Sequence, residues 1–543
     1  MAPIQKNCRE CQTPFEITDS DLQFYEQISP IFNNKKYPIP PPSLCPPCRQ
    51  RRRLAFRNER SLYQRKCDRI GKPIISMYSP EKPYPVYDRD VWWSDEWDGL
   101  SYGQAFDFSK SFFEQFYDLM KKVPRINMTL SHCENSDYGP YCVSSKNIYM
   151  CNSCVDSEDI FYSYQANHSR DCVDCMLCYN SELCYECVYG VNLYHSAFSL
   201  DCRDSRDLWF CRDCQGCEQC IGCVNLVQKK HHVFNKPVSE SEYKEWLQRL
   251  KTPKDLAQLN EQFINFSLKF PCRALHNIQV ENCIGDRLIR SKNARYAFDA
   301  EDLEDCAYIY VLPMGAKDTH DTHYSPKAEC VYEAMSATHD YRAAFVNHAW
   351  DVKESCYVDH CFYSSHLFGC IGLKKNEYCI LNKQYTKEEY EILVPKIIEH
   401  MKGTGEWGEY FPMKTSPYAY NETIAQDVFP STKERATQEG LTWKENEKKE
   451  YASLKNKKDI FACELCGKNY RLIPQELKFY HNHEIPIPRQ CPDCRYKRRL
   501  AQRSAHKIWP RTCAKCNAPI QTTYAPGRPE IVDCEGCYLK EVY

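Results

Sequence analysis

The chain has 543 residues, 36 of them cysteine, and a formal net charge of −2 at pH 7. A length of this order holds about three to five structural units, which excludes a single core. No apolar run approaches the roughly 18–20 residues of a membrane helix. The opening MAPIQKNCREC lacks an export signal's apolar stretch, so a reduced, cytoplasmic setting is expected, where clustered cysteines bind metal more often than they pair.

Residues 1–66 carry Cys8-Arg-Glu-Cys11 and then Cys45-Pro-Pro-Cys48-Arg49. Two C-x-x-C knuckles supply four thiolates, the soft tetrahedral set of structural zinc, and leave no open position for catalysis. A basic helical pattern follows at once, as in a treble clef. From Cys45 on, the segment aligns without gaps to the C-terminal end at an offset of 446: Arg52-Arg53-Leu54-Ala55 matches Arg498-Arg499-Leu500-Ala501. Residues 67–98 match a C-terminal ribbon but keep one ligand. Cys67 corresponds to Cys513, whereas Ile70, Asp88 and Val91 replace Cys516, Cys534 and Cys537. A metal-free ribbon is expected there, with Trp92, Trp93 and Trp97 supplying apolar burial or, alternatively, an aromatic binding surface.

A helical connector (99–132) leads to residues 133–238, where the fifteen cysteines from Cys133 to Cys223 all fall in one residue class at a spacing of three. The same class otherwise holds small or aliphatic residues such as Ser145, Ile148, Ser157, Ala166 and Gly190. A helix needs period 3.6 and a flat strand period 2. Period 3, with Ser145, Ser157, Ser169, Ser181 and Ser205 spaced by twelve or its double, predicts a narrow β-solenoid of twelve residues per coil. It resembles the twelve-residue β-helices of insect antifreeze proteins in architecture. Stacking would align Lys146, Glu158, Arg170, Glu182, Tyr194, Arg206 and Glu218 into a mostly alternating charged ladder. It would align Tyr149, Phe161, Val173, Tyr185, Ala197, Trp209 and Ile221 into an apolar stripe, either a docking surface or one covered by the chain itself.

After a helical linker (239–282), a second solenoid is predicted over 283–385, in two frames separated by a one-residue slip after Gly315. Asp340 breaks the small-residue rule and is expected to mark a bulge. Ala and Val fill columns that hold Cys in the first solenoid, so those cysteines are expected to be chiefly core residues, with extra metal or redox chemistry as alternatives. Capping boxes at Ser239/Glu242 and Thr386/Glu389 start helices, the second over 386–402, expected to cap the open coil ends. Residues 403–460, with Pro412, Pro417, Pro430 and the run Lys444–Glu450, suggest an extended linker and then a solvated helix.

A zinc treble clef (461–512; Cys463, Cys466, Cys491, Cys494) and a zinc ribbon (513–543; Cys513, Cys516, Cys534, Cys537) close the chain, for three structural zinc ions in all. The fold class is therefore mainly β and multidomain: two solenoids flanked by duplicated zinc modules with short capping helices. The knuckles resemble the family known as probable zinc-ribbon domains. Nearly the whole chain is similar to an uncharacterised group of cysteine-rich zinc-ribbon proteins of candidate-phylum bacteria, through C-P-x-C-R, ISMYSPEKPYPVY, WWSDEWD and SPYAYNET. That resemblance implies no activity, catalytic residue or substrate.

No P-loop, dinucleotide fingerprint, G-x-S-x-G or H-E-x-x-H motif is present, so no enzyme and no small-molecule substrate are expected. His320, His323, His339, His348, His360 and His366 are expected as dispersed surface residues rather than metal ligands. Charge is the strongest signal: Cys45–Lys72 holds ten Lys/Arg against Glu59 and Asp68, and Cys491–Asn517 holds eight against Asp493. Arg49, Arg52, Arg53, Arg57 and Arg60, with Arg495, Arg498, Arg499 and Arg503, suit bidentate phosphate contact, and Phe56 and Tyr63 suit base stacking. The first reading is thus nucleic-acid association, RNA or ribonucleoprotein favoured, with the solenoids as rigid spacers. Against it stands internal pairing of the arginines with acidic solenoid faces. The alternatives are a protein-interaction scaffold using the solenoid faces, and a metal-handling or redox protein using the solenoid cysteines. No membrane partner is expected.

Overall fold

The structure is a computed structural model that describes residues 3–312, 315–324, 327–336, 338–445 and 460–542. It is mainly β, with large parallel sheets, and divides into two compact units: Met1–Met128 with His276–Glu445, and Thr129–Leu275 with Asn446–Tyr543. No helix among the described residues is long and apolar enough to cross a membrane.

In the second unit the strands stack in parallel at a register of twelve. Lys146–Tyr149 pairs with Glu158–Phe161, which pairs with Arg170–Val173. Val191–Tyr194, Arg203–Trp209, Glu218–Ile221 and Lys230–Val233 continue the stack. The cause of the triplet period lies in the backbone: from Ser144 to Phe234 every third residue has a φ between 46° and 66°. Each left-handed residue turns a corner, and the next residue points inward. Asn and Asp tolerate that region, which accounts for Asn147, Asp156, Asp159, Asp171, Asp174 and Asn180 at these corners.

The inward serines stitch coil to coil. Ser157 Oγ accepts the Ser169 N–H at 3.2 Å and donates to the carbonyls of Val155 and Ala166 at 2.8 and 2.7 Å. Cysteines repeat the pattern more weakly: Cys151 Sγ accepts the Ser163 N–H at 3.2 Å and faces the Tyr149 and Ile160 carbonyls. Inward polar atoms thus satisfy main-chain groups that period 3 leaves facing the core. Outside, the charged ladder forms ion pairs Lys146–Glu134, Arg170–Glu182, Arg206–Glu218 and Lys230–Glu218. The apolar stripe is covered, not free: Phe161, Val173, Tyr185, Trp209 and Ile221 share one core with Tyr243, Leu250, Leu259, Phe479 and Tyr480 of the helices Glu240–Arg249, Pro253–Ser267 and Pro474–Asn482.

The first unit holds the other stack. Its first coil is eleven residues, with an irregularity at Gly285, where φ is 154° and a Cβ would lie 1.8 Å from the Ala297 carbonyl oxygen. The expected slip is a thirteen-residue coil, Ala307 pairing with His320. From Ala316 to Ile380 the register is twelve throughout. Asp340 marks no bulge: its buried carboxylate accepts the Val352 N–H at 2.9 Å, the task of a column serine. Burial raises its pKa well above the ordinary value. Ser325, Ala337 and the Leu312 side chain lie outside the described residues, as does most of the predicted solvated helix.

Both stacks end alike. Asn382 accepts the Ile371 N–H at 2.8 Å and donates to its carbonyl at 2.7 Å and to Gly99 at 3.1 Å; Asn235 does the same for Val224. One side-chain amide thus stands in for the missing next coil, beside the hairpins Lys230–Val233/Lys236–Pro237 and Glu377–Ile380/Lys383–Gln384. The helices Glu240–Arg249 and Lys387–Thr404 begin on capping boxes. Asn382→Ala is expected to destabilise its unit by about 2–3 kcal/mol, because it strands buried main-chain groups. Urea unfolding checks this, and a loss below about 0.5 kcal/mol contradicts the end-cap role.

Residues 405–445 are not the extended linker that their prolines suggest. Trp407, Tyr410, Phe411, Tyr418 and Tyr420 are buried in the first unit, and short helices span Ile424–Val428 and Lys433–Gln438. Aromatic burial outweighs the proline signal. Residues 67–98 share one local contact with the C-terminal cysteine group: the Asp88 N–H donates to Cys67 Sγ at 3.2 Å, as the Cys534 N–H does to Cys513 at 3.3 Å. Trp92 is fully buried against Phe362 and donates to the Pro124 carbonyl, which makes the tryptophans packing residues.

Candidate metal centres and arginine docking faces

Each cysteine group is built from a hairpin and a helix. Ile4–Asn7 pairs with Pro14–Ile17, Ile460–Ala462 with Asn469–Arg471, and Trp509–Thr512 with Pro519–Thr522. Each hairpin turns through a knuckle, with Gln12, Gly467 and Asn517 in the left-handed region. The second cysteine pair opens a helix: Cys45 and Cys491 are the N-caps of Pro46–Leu54 and Pro492–Leu500. Within each group (Cys8, Cys11, Cys45, Cys48; Cys463, Cys466, Cys491, Cys494; Cys513, Cys516, Cys534, Cys537) the four sulfurs lie within 4.8 Å of one another. Cys11–Cys45, Cys466–Cys491 and Cys516–Cys534 are 3.6, 3.7 and 3.8 Å apart. A tetrahedral ion with metal–sulfur bonds of about 2.3 Å places its sulfurs about 3.8 Å apart, whereas a disulfide needs about 2.05 Å. The groups therefore fit a four-thiolate ion.

Most of the arginines that the sequence assigns to phosphate meet carboxylates of their own unit. In the first unit, Arg49 Nη2 lies 2.9 Å from Asp321 and Arg53 Nη1 3.0 Å from the same carboxylate. Arg52 bridges Glu333 at 2.8 Å and Glu409 at 2.7 Å. Arg57 pairs with Glu59 at 2.5 Å and donates to Ser336. In the second unit, Arg495 lies 3.1 Å from Asp174 and 3.0 Å from Glu476, Arg499 2.8 Å from Asp174, and Arg498 2.6 Å from Glu186. Arg49, Arg52, Arg53, Arg57, Arg495 and Arg499 are buried, Arg60 and Arg503 half-buried, and Arg498 exposed. Phe56 is buried against Tyr410 and Phe411, and Tyr63 donates to Glu422. Burial alone would raise the Asp321 pKa, but Arg49 and Arg53 hold it below the usual range. At Glu333 and Glu186 burial prevails and the pKa is raised despite the arginines.

The two faces share their central residues. At an offset of 147, Asp174, Tyr185, Glu186, Tyr194 and Gly222 correspond to Asp321, Tyr332, Glu333, Tyr341 and Gly369. Upstream of the 446 alignment, at an offset of 455, Asp21, Phe24 and Tyr25 correspond to Glu476, Phe479 and Tyr480. Tyr25 packs on Tyr332 at 5.3 Å and Tyr480 on Tyr185 at 5.5 Å. The 147 offset also matches Cys223 to Cys370, and the 455 offset matches Cys8 and Cys11 to Cys463 and Cys466.

The histidines of the second stack are largely interior. His320 stacks on Phe24 at 3.8 Å and His323 on Tyr310 at 5.1 Å; His360 Nδ1 sits 2.6 Å from Asp359. Burial pushes His320 down to about 4, although Asp21 opposes it. Its folded pKa lies below the unfolded value of about 6.5, so its contribution to stability is present above pH 6.5 and lost as the pH falls toward 4. The first unit is expected to lose about 2 kcal/mol from this residue between pH 6.5 and 5, and His320→Phe to remove that slope in urea titrations.

No protein-family model, no curated protein and no solved structure matches the chain. The resemblance carried by the C-P-x-C-R knuckles therefore rests on those motifs alone.

Proposed function

We propose that the chain is a cytoplasmic, zinc-stabilised scaffold, in which treble-clef modules hold structural zinc and clamp two twelve-residue β-solenoids through buried arginine–carboxylate faces. The observation that carries this reading is the duplicated docking: the arginines following each zinc knuckle are used internally twice, by corresponding residues. What remains for a protein partner is the outer ladders, where Tyr194 and Tyr341, 48 % and 41 % exposed, interrupt the charge alternation at equivalent coils. Nucleic-acid association, the other reading of the same charge, would have to rest on exposed cations such as Lys497, Arg498 and Lys507.

One experiment separates the two. Binding of the purified, reduced, zinc-loaded protein to pooled RNA, single-stranded DNA and duplex DNA is measured across a salt series. The scaffold reading expects weak binding with a shallow slope, since few phosphates can be neutralised. Tight binding with a log–log slope of about −5 or steeper overturns it in favour of nucleic acid. Photo-crosslinking from positions 194 and 341 in cells then reports whether one protein partner occupies both ladders.

A further inference from the structure

We propose that the exposed side of the helix Pro492–Leu500, with the tip of its cysteine knuckle, is a docking site for an acidic, aromatic segment of a partner protein. This rests on the scaffold reading and names the chemistry of one partner, at a surface separate from the outer ladders.

The first unit shows what such a face accepts. Its counterpart helix Pro46–Leu54 is covered by residues 405–445. Arg52 Nη1 reaches Glu409 at 2.7 Å, and Arg51 pairs with Glu439 and donates to the Tyr420 hydroxyl at 3.0 Å. Phe56 packs on Tyr410 and Phe411. The Ser416 hydroxyl donates to the Ala55 carbonyl at 2.6 Å, and the Ile424 N–H to the Arg57 carbonyl at 3.1 Å. Every residue from Cys48 to Glu59 is buried as a result.

The second unit keeps the cations and lacks the cover. The chain runs from the helix Pro253–Ser267 on to the strand Cys272–Arg273, and the described residues hold no segment equivalent to 405–445. Arg498 keeps the inner bond of Arg52, to Glu186 at 2.6 Å in place of Glu333 at 2.8 Å. Where Arg52 meets Glu409, however, Arg498 Nη1 meets the neutral Gln490 at 3.0 Å, and the side chain is 42 % exposed. Lys497, in the place of Arg51, is exposed and forms no ion pair among the described residues.

An apolar residue stands with these charges. At the offset of 455 that relates the two knuckles, Leu465 replaces Glu10, and it is 68 % exposed. Glu10 and Arg51 are 2.6 Å apart, so the corresponding Leu465 lies beside Lys497. An exposed leucine next to two cations suits a partner that brings carboxylates and an aromatic ring together, which is what Glu409, Tyr410 and Phe411 supply in the first unit. A nucleic-acid backbone would satisfy the cations but not the leucine. Residues 446–459 of the chain itself carry five lysines against two glutamates and one aspartate, the wrong sign for this role.

The test selects random twelve-residue peptides displayed on phage against the full-length, reduced, zinc-loaded protein. Enriched peptides are then measured by fluorescence anisotropy on the wild type and on Leu465→Glu/Lys497→Glu, which gives the knuckle the first unit's own residue and reverses one charge. Enriched peptides are expected to carry at least two carboxylates and an aromatic residue, to bind at least tenfold more weakly to the double variant, and to bind unchanged to a Lys254→Glu control. No enrichment, basic or non-aromatic peptides, or equal binding to wild type and double variant overturns the proposal. So does pooled RNA bound through Lys497 with no acidic peptide enriched. If the double variant does not fold, photo-crosslinking of an enriched peptide to the wild type decides: labelling of residues 463–466 or 492–502 supports the site, and labelling elsewhere overturns it. Crosslinks from position 497 to the chain's own residues 446–459 also overturn it. The ladders are read separately from positions 194 and 341, so failure here leaves the scaffold reading standing.

Discussion

Asp321→Ala is expected to destabilise the unit Met1–Met128/His276–Glu445 by about 3–5 kcal/mol, and Asp174→Ala to do the same to the other unit. Each aspartate is fully buried between two arginines that are themselves buried. Removing it strips a buried carboxylate from two desolvated guanidinium groups that keep at most a more distant or shared one, which is far costlier than removing an exposed pair. Arg170→Ala on the outer ladder is the control, expected to cost less than about 1 kcal/mol. Because the chain has two units, unfolding is followed by a probe in each, and only the transition of the mutated unit should move. A shift under about 1 kcal/mol for Asp321→Ala would mean that the arginine face contributes little to docking. The effect should shrink in acid: Asp321 has a lowered pKa, so its contribution is present above the unfolded value of about 3.9 and lost below it.

The two kinds of pattern in this sequence were legible to different depths. Period 3 and period 12 follow from backbone geometry that repeats identically, so the columns Ser145–Ser157–Ser169–Ser181 and Cys172–Cys184 could be placed without coordinates. The slip after Gly315 was also visible, because an extra residue changes the class of every residue that follows. Cysteine knuckles were legible because a metal fixes ligand spacing locally. Asn and Asp fill many of the left-handed corners, from Asn147 to Asn225, a weaker sign than the inward cysteines because residues such as Ser, Tyr, Leu, His and Phe fill the others.

What the sequence could not decide was the use of its charge. Arg49 and Arg53 on a helix suit phosphate and carboxylate equally well, and the choice depends on Asp321 more than 260 residues away. The 147 offset that relates the two stack ends, Gly222-Cys223 to Gly369-Cys370, also relates Asp174/Glu186 to Asp321/Glu333, and an acidic pair recurring opposite two arginine helices points to internal docking. Residues 405–445 failed for a related reason. Their prolines are local signals, whereas burial of Tyr410, Phe411 and Tyr420 and the reach of Glu409 and Glu439 to Arg52 and Arg51 are long-range facts.

On the proposed zinc role, stripping the group Cys463, Cys466, Cys491 and Cys494 of its ion is expected to unfold the second unit rather than loosen one end of it. Cys491 and Cys494 hold the first turn of Pro492–Leu500, and that helix carries Arg495 and Arg499 onto Asp174 and Glu186. Structural zinc contributes on the order of 10 kcal/mol or more to a small domain, comparable with the whole stability of roughly 5–15 kcal/mol of a typical protein. Once the helix is lost, Asp174 and Glu186 are left buried without counter-charge, and Phe161, Val173 and Tyr185 lose the cover of Phe479 and Tyr480. Cys491→Ser, or a chelator strong enough to strip four-thiolate zinc, should abolish the near-ultraviolet signal of the unit and raise binding of a hydrophobic dye. Cys534→Ser should act more mildly and its metal should leave first, because Cys516 is exposed and Cys534 and Cys537 half-exposed, whereas Cys463, Cys491 and Cys494 are buried. Retention of the native spectrum after release of all three ions would show that the stacks hold the modules without metal, and that the cysteine groups do something other than stabilise the fold.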